Sequence, residues 1–370
     1  MSSVVVWGHP GSPRIQSFAT ASVDFPTISY QLIPWIDLLQ DGPIHEIYRE
    51  PVWVRLESAG RNANFQHRLL EMWHPEVPSF PTAKTSFRLA VQFHSAWAKF
   101  LESRTTSWSG NANIHWTAQP MEVLQLFDKY QCGDFMKAHS IPTPATFLMH
   151  DISVADFFQQ LDSLGWKKAF LKWRFGSSAV GILFLELRHN QWHGWTTLRF
   201  HDNDWHNTRR LVAVSGSSLQ ETISVLLQSG AVLQEYFPKA FLNGQQFDLR
   251  LILIAGTIEF IVVRCSPHQI TNIHLGGTKG DVGLIRKLIP KRLWLDACDM
   301  CEKIGCLYRS LVLGIDLAFD AAISRFTIFE VNAFGDHFPT LRNEQNRSVH
   351  QVILQWLATH PPGTRFGESE

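Results

Sequence analysis

Short runs of β-branched and aromatic residues alternate along this chain with longer stretches of helical periodicity. An apolar strand is expected at 4–7. The turn GHPGSPR follows, then a helical run at 15–23, with further strands at 28–33 and 53–56. This order reads as the first β–α unit of an α/β lobe. The turn lacks dinucleotide or P-loop spacing, and Pro10 and Pro13 remove backbone donors. A Ser/Asn-rich run at 102–113 reads as a loop. Helical periodicity returns at 121–139 and stops before IPTP, whose prolines enforce an extended exit.

From residue 169 the pattern turns to strands. AFLKWRFGSSAVGILFLE predicts strand, Gly/Ser loop, strand, and QWHGWTTLRFHDNDWHNTRR follows as a polar Trp/His segment. A helix fits 218–228. AVLQEYF is a strand, and FDLRLILIAGTIEFIVVR is a hairpin turning at AGT. A loop with HLGGTKGD leads to a helix at 291–312, the strands GIDLAFD and FTIFEVNAF, and a closing helix at 349–358. The pattern implies an α+β fold with a large mixed or antiparallel sheet, not a doubly wound parallel one.

Composition narrows the function classes. A length of 370 residues exceeds what one core usually supports, so two or three lobes are expected. Lys+Arg and Asp+Glu both number 33, which argues against a dedicated nucleic-acid or membrane-surface partner. Cys298, Cys301 and Cys306 have metal-like spacing, but they fall in a helical pattern without a fourth ligand and read as buried thiols. The N-terminus shows no signal-peptide pattern and no apolar run spans a bilayer, so a cytoplasmic protein is expected. A homo-oligomer is compatible with this composition.

Candidate chemistry lies on the strands. Lys172 stands in an apolar strand before a loop of small residues whose N–H groups can approach phosphate; a surface lysine beside an ordinary hairpin is the alternative. Gln234, Glu235, Tyr236 and Phe237 form either a hinge for an adenine edge or a plain strand end. Asp248 and Arg250 share a strand face, with Arg264 on the paired strand; they make a cross-strand ion pair or a ribose and phosphate site. Glu330 and Asn332, two residues apart, also share a face. If their strand pairs with GID, Asp316 joins them as a third oxygen ligand suited to Mg²⁺.

In order and spacing these pieces resemble the ATP-grasp superfamily over about 121–358, in the branch of glutathione synthetase and the ribosomal-protein glutamate ligase. The matching segments are Lys172 before GSSAVG, Gln234-Glu235-Tyr236, Asp248-Leu249-Arg250, Arg264 with Asn272 before Gly-Gly, GID, EVN, and Asp128-Lys129 at a helix end. The resemblance implies an N-terminal α/β lobe at 1–118, a helix and central lid at 119–232, and a C-terminal antiparallel sheet with helices at 233–370. It also implies an ATP-dependent ligase that activates a carboxylate as an acyl phosphate and joins it to an amine of an amino acid, peptide or protein. ATP and Mg²⁺, with Mn²⁺ as the alternative, would be the cofactors.

The implied roles follow the motifs. Lys129, Lys172, Ser177, Ser178 and Gly181 would hold phosphates, and Gln234, Glu235, Tyr236 and Phe237 the adenine. Asp248 would take the nucleoside end and Arg250 the acyl phosphate. Arg264 and Asn272 would flank the γ-phosphate, and Asp316, Glu330 and Asn332 would take the metals. The chain departs from the pattern at Ile270, where close relatives often place arginine, and in AFGDHFP after EVN, which leaves the transferred substrate open. Rival readings are a nucleotide-binding sensor or scaffold without ligation, an ATP-grasp kinase, and a zinc site from His193, His201 and His206 with Cys, against which these histidines read as part of a loop of the lid that contacts substrate or solvent. The segment 173–210 is expected to be a mobile lid with few core residues. Arg55, Ser58, Arg61 and Asn62 could bind a carboxylate or peptide, or simply form a solvated turn.

Overall fold

The computed structural model describes residues 2–39, 48–60, 62–76, 86–336 and 338–367. Among these residues the chain forms three sheets. The first lobe runs β1 (Ser2–Gly8), α1 (Pro13–Ser22), β2 (Ile28–Pro34), β3 (Val52–Leu56), α2 (Ala63–Trp73), α3 (Phe87–Ser109) and β4 (Ile114–Trp116). Its strands are parallel in the order β2-β1-β3-β4. Period-two alternation splits their side chains between two cores. Val5, Trp7, Val54 and Leu56 face one, and Val4, Val6 and Trp53 the other. The expected loop at 102–113 is instead helix as far as Ser109. Phe100, Leu101 and Trp108 are buried, and that apolar stripe carries the helix through the polar run.

The expected helix at 121–139 divides into α4 (Pro120–Phe127) and α5 (Lys129–Ala138). Asp128 stands between them in extended conformation and caps α5, accepting from Tyr130 N and Gln131 N. The central unit then contains β5 (Thr146–Met149), α6 (Val154–Ser163), β6 (Lys168–Trp173), β7 (Ile182–Arg188), β8 (Gln191–His201), β9 (Asp204–Ser215), α7 (Gly216–Gln228) and β10 (Ala231–Glu235). The sheet order is β5-β10-β6-β7-β8-β9, antiparallel throughout. The division drawn at 232/233 falls inside β10, which pairs with β5 and β6.

The Trp/His segment is a strand pair, not a loop. It supplies Leu198 to a core with Leu183, Leu185, Phe157 and Ile223, so the lid buries more apolar surface than its polar composition suggests. His201 and His206 stack across this hairpin at 4.0 Å. No group of three His, Cys, Asp or Glu side chains that could hold a metal occurs among the described residues, so the zinc reading has no support there.

The last unit contains β11 (Phe241–Leu242), β12 (Gln245–Ile254), β13 (Thr257–Ser266), β14 (Thr278–Gly280), α8 (Val282–Leu288), α9 (Lys291–Leu307), β15 (Val312–Phe319), β16 (Phe326–Asn332) and α10 (Val349–Thr359). Its sheet order is β14-β13-β12-β15-β16, with β11 paired to β12. The helix expected to reach 312 ends at Leu307, because Leu311 and Val312 are already buried in the sheet core. Of the three thiols expected to be buried in α9, Cys301 is buried, Cys298 is half-buried and Cys306 is exposed. Ile353 and Leu354 of α10 share a core with Ile15, Phe18, Ile252 and Ile254, which joins the first lobe to the last. No described helix is long and apolar enough to cross a membrane.

Helix α3 ties the lid to the first lobe. Phe87 meets Trp173 edge-on at 5.5 Å, Ser86 Oγ donates to Asp204 Oδ2 at 2.7 Å, and His94 stacks on Phe175 at 4.2 Å. Burial, with Lys129 adding to it, pushes the His94 imidazole down to about 4. The unfolded chain therefore binds a proton between about pH 4 and 6.5 that the folded chain excludes. Stability from this group is full above pH 6.5 and is lost as pH falls toward 4, by at most about 3 kcal/mol. Replacing His94 by Gln should flatten the loss of melting temperature between pH 7 and pH 4.5. An unchanged slope in thermal unfolding would refute this.

Candidate active site

The site begins with strand register. Asp248 and Arg250 alternate onto one face of β12. Asp248 pairs with Arg264 of β13, Arg250 with Asp316 of β15, and Asp316 with Glu330 of β16. Neighbouring strands thus line up acids and bases in one row. Arg264 Nε donates to Asp248 Oδ1 at 2.7 Å, and its Nη2 lies 3.1 Å from Asp316 Oδ2. Arg250 grips Asp316 with two bonds, Nε to Oδ1 and Nη2 to Oδ2, and its Nη1 donates to Gly335 O at 3.1 Å. All four side chains are buried.

Lys239 joins this row from the segment before β11. Its Nζ donates to Asp248 Oδ2 at 3.1 Å and to Thr271 Oγ1 at 2.6 Å. Sequence reasoning missed both residues, which no motif marked; a lysine flanked by Pro and Ala was the sole hint. Burial would raise Asp248, but Arg264 and Lys239 outweigh it and hold the carboxyl down at about 2. Burial and the neighbouring Glu330 charge push Asp316 up, against its two arginines.

The lid supplies the opposing wall. Burial lowers Lys172 to about 8, and its Nζ donates to Gln234 Oε1 at 2.5 Å. Lys129, the first residue of α5, donates to Gly176 O and lies 3.6 Å from Glu330 Oε2. Burial would raise Glu330 too, but Lys129, Lys172, Arg250 and Arg264 hold it at about 2, so it stays ionised. Arg174 grips Asp128 with two bonds and fixes the start of α5 below the Gly/Ser loop.

In that loop Ser177 and Ser178 are exposed. Gly181 has φ +64, and a Cβ there would meet Trp173 at 2.7 Å and Phe87 at 2.8 Å, so only glycine fits. Its N–H donates to Asn207 Oδ1 at 3.1 Å. In the hinge, Gln234 is buried, Glu235 is exposed, and Tyr236 packs on Phe184 with ring centroids 5.5 Å apart. Phe237 is buried against Phe329. Ile270, the departure noted above, joins Phe170, Ile182 and Phe184 in an apolar cluster beside Tyr236. Asn272 caps a 3-10 turn at Ile273–Leu275, accepting from His274 N, while its neighbour Thr271 reaches the charge row.

Two of the four N-terminal candidates have structural partners. Arg55 is buried and paired with Glu57, and Asn62 caps α2, accepting from Phe65 N. Ser58 is exposed, and Arg61 lies outside the described residues.

Asp316, Glu330 and Asn332 share one face of β15 and β16, as their registers require. Asn332 Nδ2 donates to Gly314 O at 3.2 Å, which turns its Oδ1 away from that carbonyl. Two oxygens of a carboxylate offer about four lone-pair sites. The two arginines use three of those on Asp316, leaving one on Oδ1. The all-oxygen donor set therefore fits Mg²⁺.

No protein-family model and no curated protein matches the sequence. Solved structures do match. The ATP-grasp ligase PsnB complexed with minimal precursor aligns with a TM-score of 0.57 at 12% identity, covering 96% of this chain and 98% of that one. The RiPP-associated ATP-grasp ligase of Chryseobacterium gregarium, in complex with ADP and a leader and core peptide, gives 0.56 at 13%, covering 100% and 99%. The macrocyclase MdnC of Microcystis aeruginosa MRC, bound with precursor peptide MdnA, gives 0.54 at 12%, covering 97% and 100%. The chain has the ATP-grasp fold. The α+β architecture expected from the sequence is the observed one, and the charge row lies on the C-terminal sheet.

Replacing Asp248 by Asn would leave Lys239 and Arg264 facing a neutral amide in a buried site. The expected cost is about 3 kcal/mol of folding free energy. Denaturant unfolding checks it, and an unchanged midpoint would contradict the network described.

Proposed function

We propose that this chain is an ATP-dependent carboxylate–amine ligase. The observation that carries the reading is the charge row. Five cations, Lys129, Lys172, Lys239, Arg250 and Arg264, face four carboxylates, Asp248, Asp316, Glu330 and Asp336, between a glycine-bearing lid loop and the C-terminal sheet. The excess of one positive charge suits a polyphosphate with metal. Matches to ATP-grasp ligases, some solved with ADP or a nucleotide analogue and peptides, are consistent with it.

Lys129 and Lys172 would hold nucleotide phosphates, and the apolar cluster by Tyr236 would cover the base. Asp316, Glu330 and Asn332 would hold Mg²⁺, which when bound would neutralise phosphate charge. Arg250 and Arg264 would orient the γ-phosphoryl group toward a carboxylate oxygen. That attack forms an acyl phosphate and releases ADP; an amine then displaces phosphate. The chain's contribution is placed charge and exclusion of water, with no protein nucleophile.

Glu330→Gln keeps the shape and removes the negative charge, so carboxylate-dependent ADP release should fall at least about a hundredfold while the fold survives. Thermal unfolding and ADP release measured on one preparation check this. Normal release per folded molecule would leave the metal assignment without support. Lys172→Ala should weaken Mg-ATP binding without lowering the melting temperature, as read by calorimetry. A variant that melts early yet binds Mg-ATP normally would make Lys172 structural. ADP release that needs a carboxylate but no amine would favour a kinase over a ligase.

A further inference from the structure

One stripe of α3 lies along the lid. Phe87, Ala90, Val91 and His94 recur at helical spacing; Phe87 belongs to the lid core, and Ala90 and Val91 pack against it. The two ends of this stripe meet the two ends of the Gly/Ser loop. At the far end of the loop Phe87 closes on Gly181, where a Cβ would meet its ring at 2.8 Å. At the near end His94 stacks on Phe175 at 4.2 Å and meets Trp173 edge-on at 6.0 Å. Lys129 Nζ adds a bond from α5 to Gly176 O.

Between these contacts the loop holds a backbone it does not favour by itself. Ser178 and Ala179 stand at φ +52 and +63, in the left-handed region that L side chains rarely adopt. The lid supplies three bonds of its own: Val180 N to Ser177 O at 3.0 Å, Thr197 Oγ1 to Ala179 O at 2.9 Å, and Gly181 N to Asn207 Oδ1 at 3.1 Å. Ser177 and Ser178 at the tip are exposed. Without Phe87 a void would open beside Gly181, and without His94 the ring stacked on Phe175 would be gone. Helix α3 is itself fixed at both ends. Ser86 Oγ accepts from Leu89 N and donates to Asp204 Oδ2, and the Ser86 backbone bridges to His206 of the lid. Phe100 and Trp108 pack on Trp35 and Trp7 of the first lobe. With 23 residues the helix is about 35 Å long, one rod from that core to the loop.

We infer that Phe87 and His94 are positioning residues: through them α3 sets the shape of the Gly/Ser loop from the first lobe, and with it the affinity for Mg-ATP. Neither side chain needs to touch the nucleotide. A strained, exposed loop binds tightly only when it already holds the binding shape, because ordering it at the moment of binding subtracts from affinity. A shift of α3 in the first lobe therefore changes how tightly the lid holds its ligand. The inference rests on the ligase reading for the identity of that ligand, but not for the ordering of the loop.

Hydrogen exchange over 175–182 and calorimetric titration with Mg-ATP, run on the same preparations, test it. Phe87→Ala and His94→Ala should each speed exchange in that segment and weaken Mg-ATP binding at least about fivefold. His94→Phe keeps a ring on Phe175 and should stay within about twofold of the wild-type affinity. In His94→Ala, exchange in α7 should keep its wild-type rate, which a general loss of lid stability would not allow. Should Phe87→Ala fail to fold, the two His94 variants decide alone. Unchanged exchange at 175–182 or unchanged affinity in His94→Ala would overturn the inference, and so would a His94→Phe variant as weak as His94→Ala. A wild-type protein that binds no Mg-ATP would refute the ligase reading. Exchange would then decide whether α3 orders the loop: faster in His94→Ala upholds it, and an equal rate overturns it.

Discussion

Four charges sealed between strands organise this molecule: Asp248, Arg264, Asp316 and Arg250, joined end to end across β13, β12 and β15. Removing each from water is costly, and the mutual attraction offsets that only when every member keeps its partner. The row therefore demands one register. A slip of one residue in β12 would turn Asp248 and Arg250 to the opposite face, against the apolar core of Phe247, Leu249 and Leu251. The same register that satisfies the charges brings Glu330 beside Asp316 and opposite Lys129. Packing and the candidate chemistry are consequences of one arrangement.

Around that row the remaining elements act as supports. Arg174 and Asp128 fix the start of α5, so that Lys129 can reach both Gly176 of the lid loop and Glu330 of the sheet. Helix α3 spans from the aromatic core of the first lobe to the lid hairpin, where Phe87 fills the space that Gly181 leaves open. The lid is an antiparallel sheet with its own core under α6 and α7, docked on a long helix.

Much of this was legible in the chain because it is local. GID and EVN read as strands with acids on one face, and Lys172, Gln234-Glu235-Tyr236 and Asp248-Leu249-Arg250 stand at recognisable spacing. The misreadings share one cause: polar side chains in elements whose apolar partners lie far away in sequence. Residues 102–109 looked like loop until Phe100 and Trp108 met Trp7 and Trp35. The Trp/His segment looked like loop until Leu198 met α7 and β9 met α3.

The sequence by itself determined the order of strands and helices, the alternation that puts Glu330 and Asn332 on one face, and the family resemblance that follows. Those are properties of short-range periodicity, which any single strand or helix carries. Tertiary structure alone decided that Lys239 and Thr271 close on Asp248, that Asn272 caps a turn beside the row, and that Asp336 comes beside Arg250. These contacts join residues that no periodicity relates. A charge brought out of water takes whichever partner the packed strands deliver, and only the folded chain delivers it.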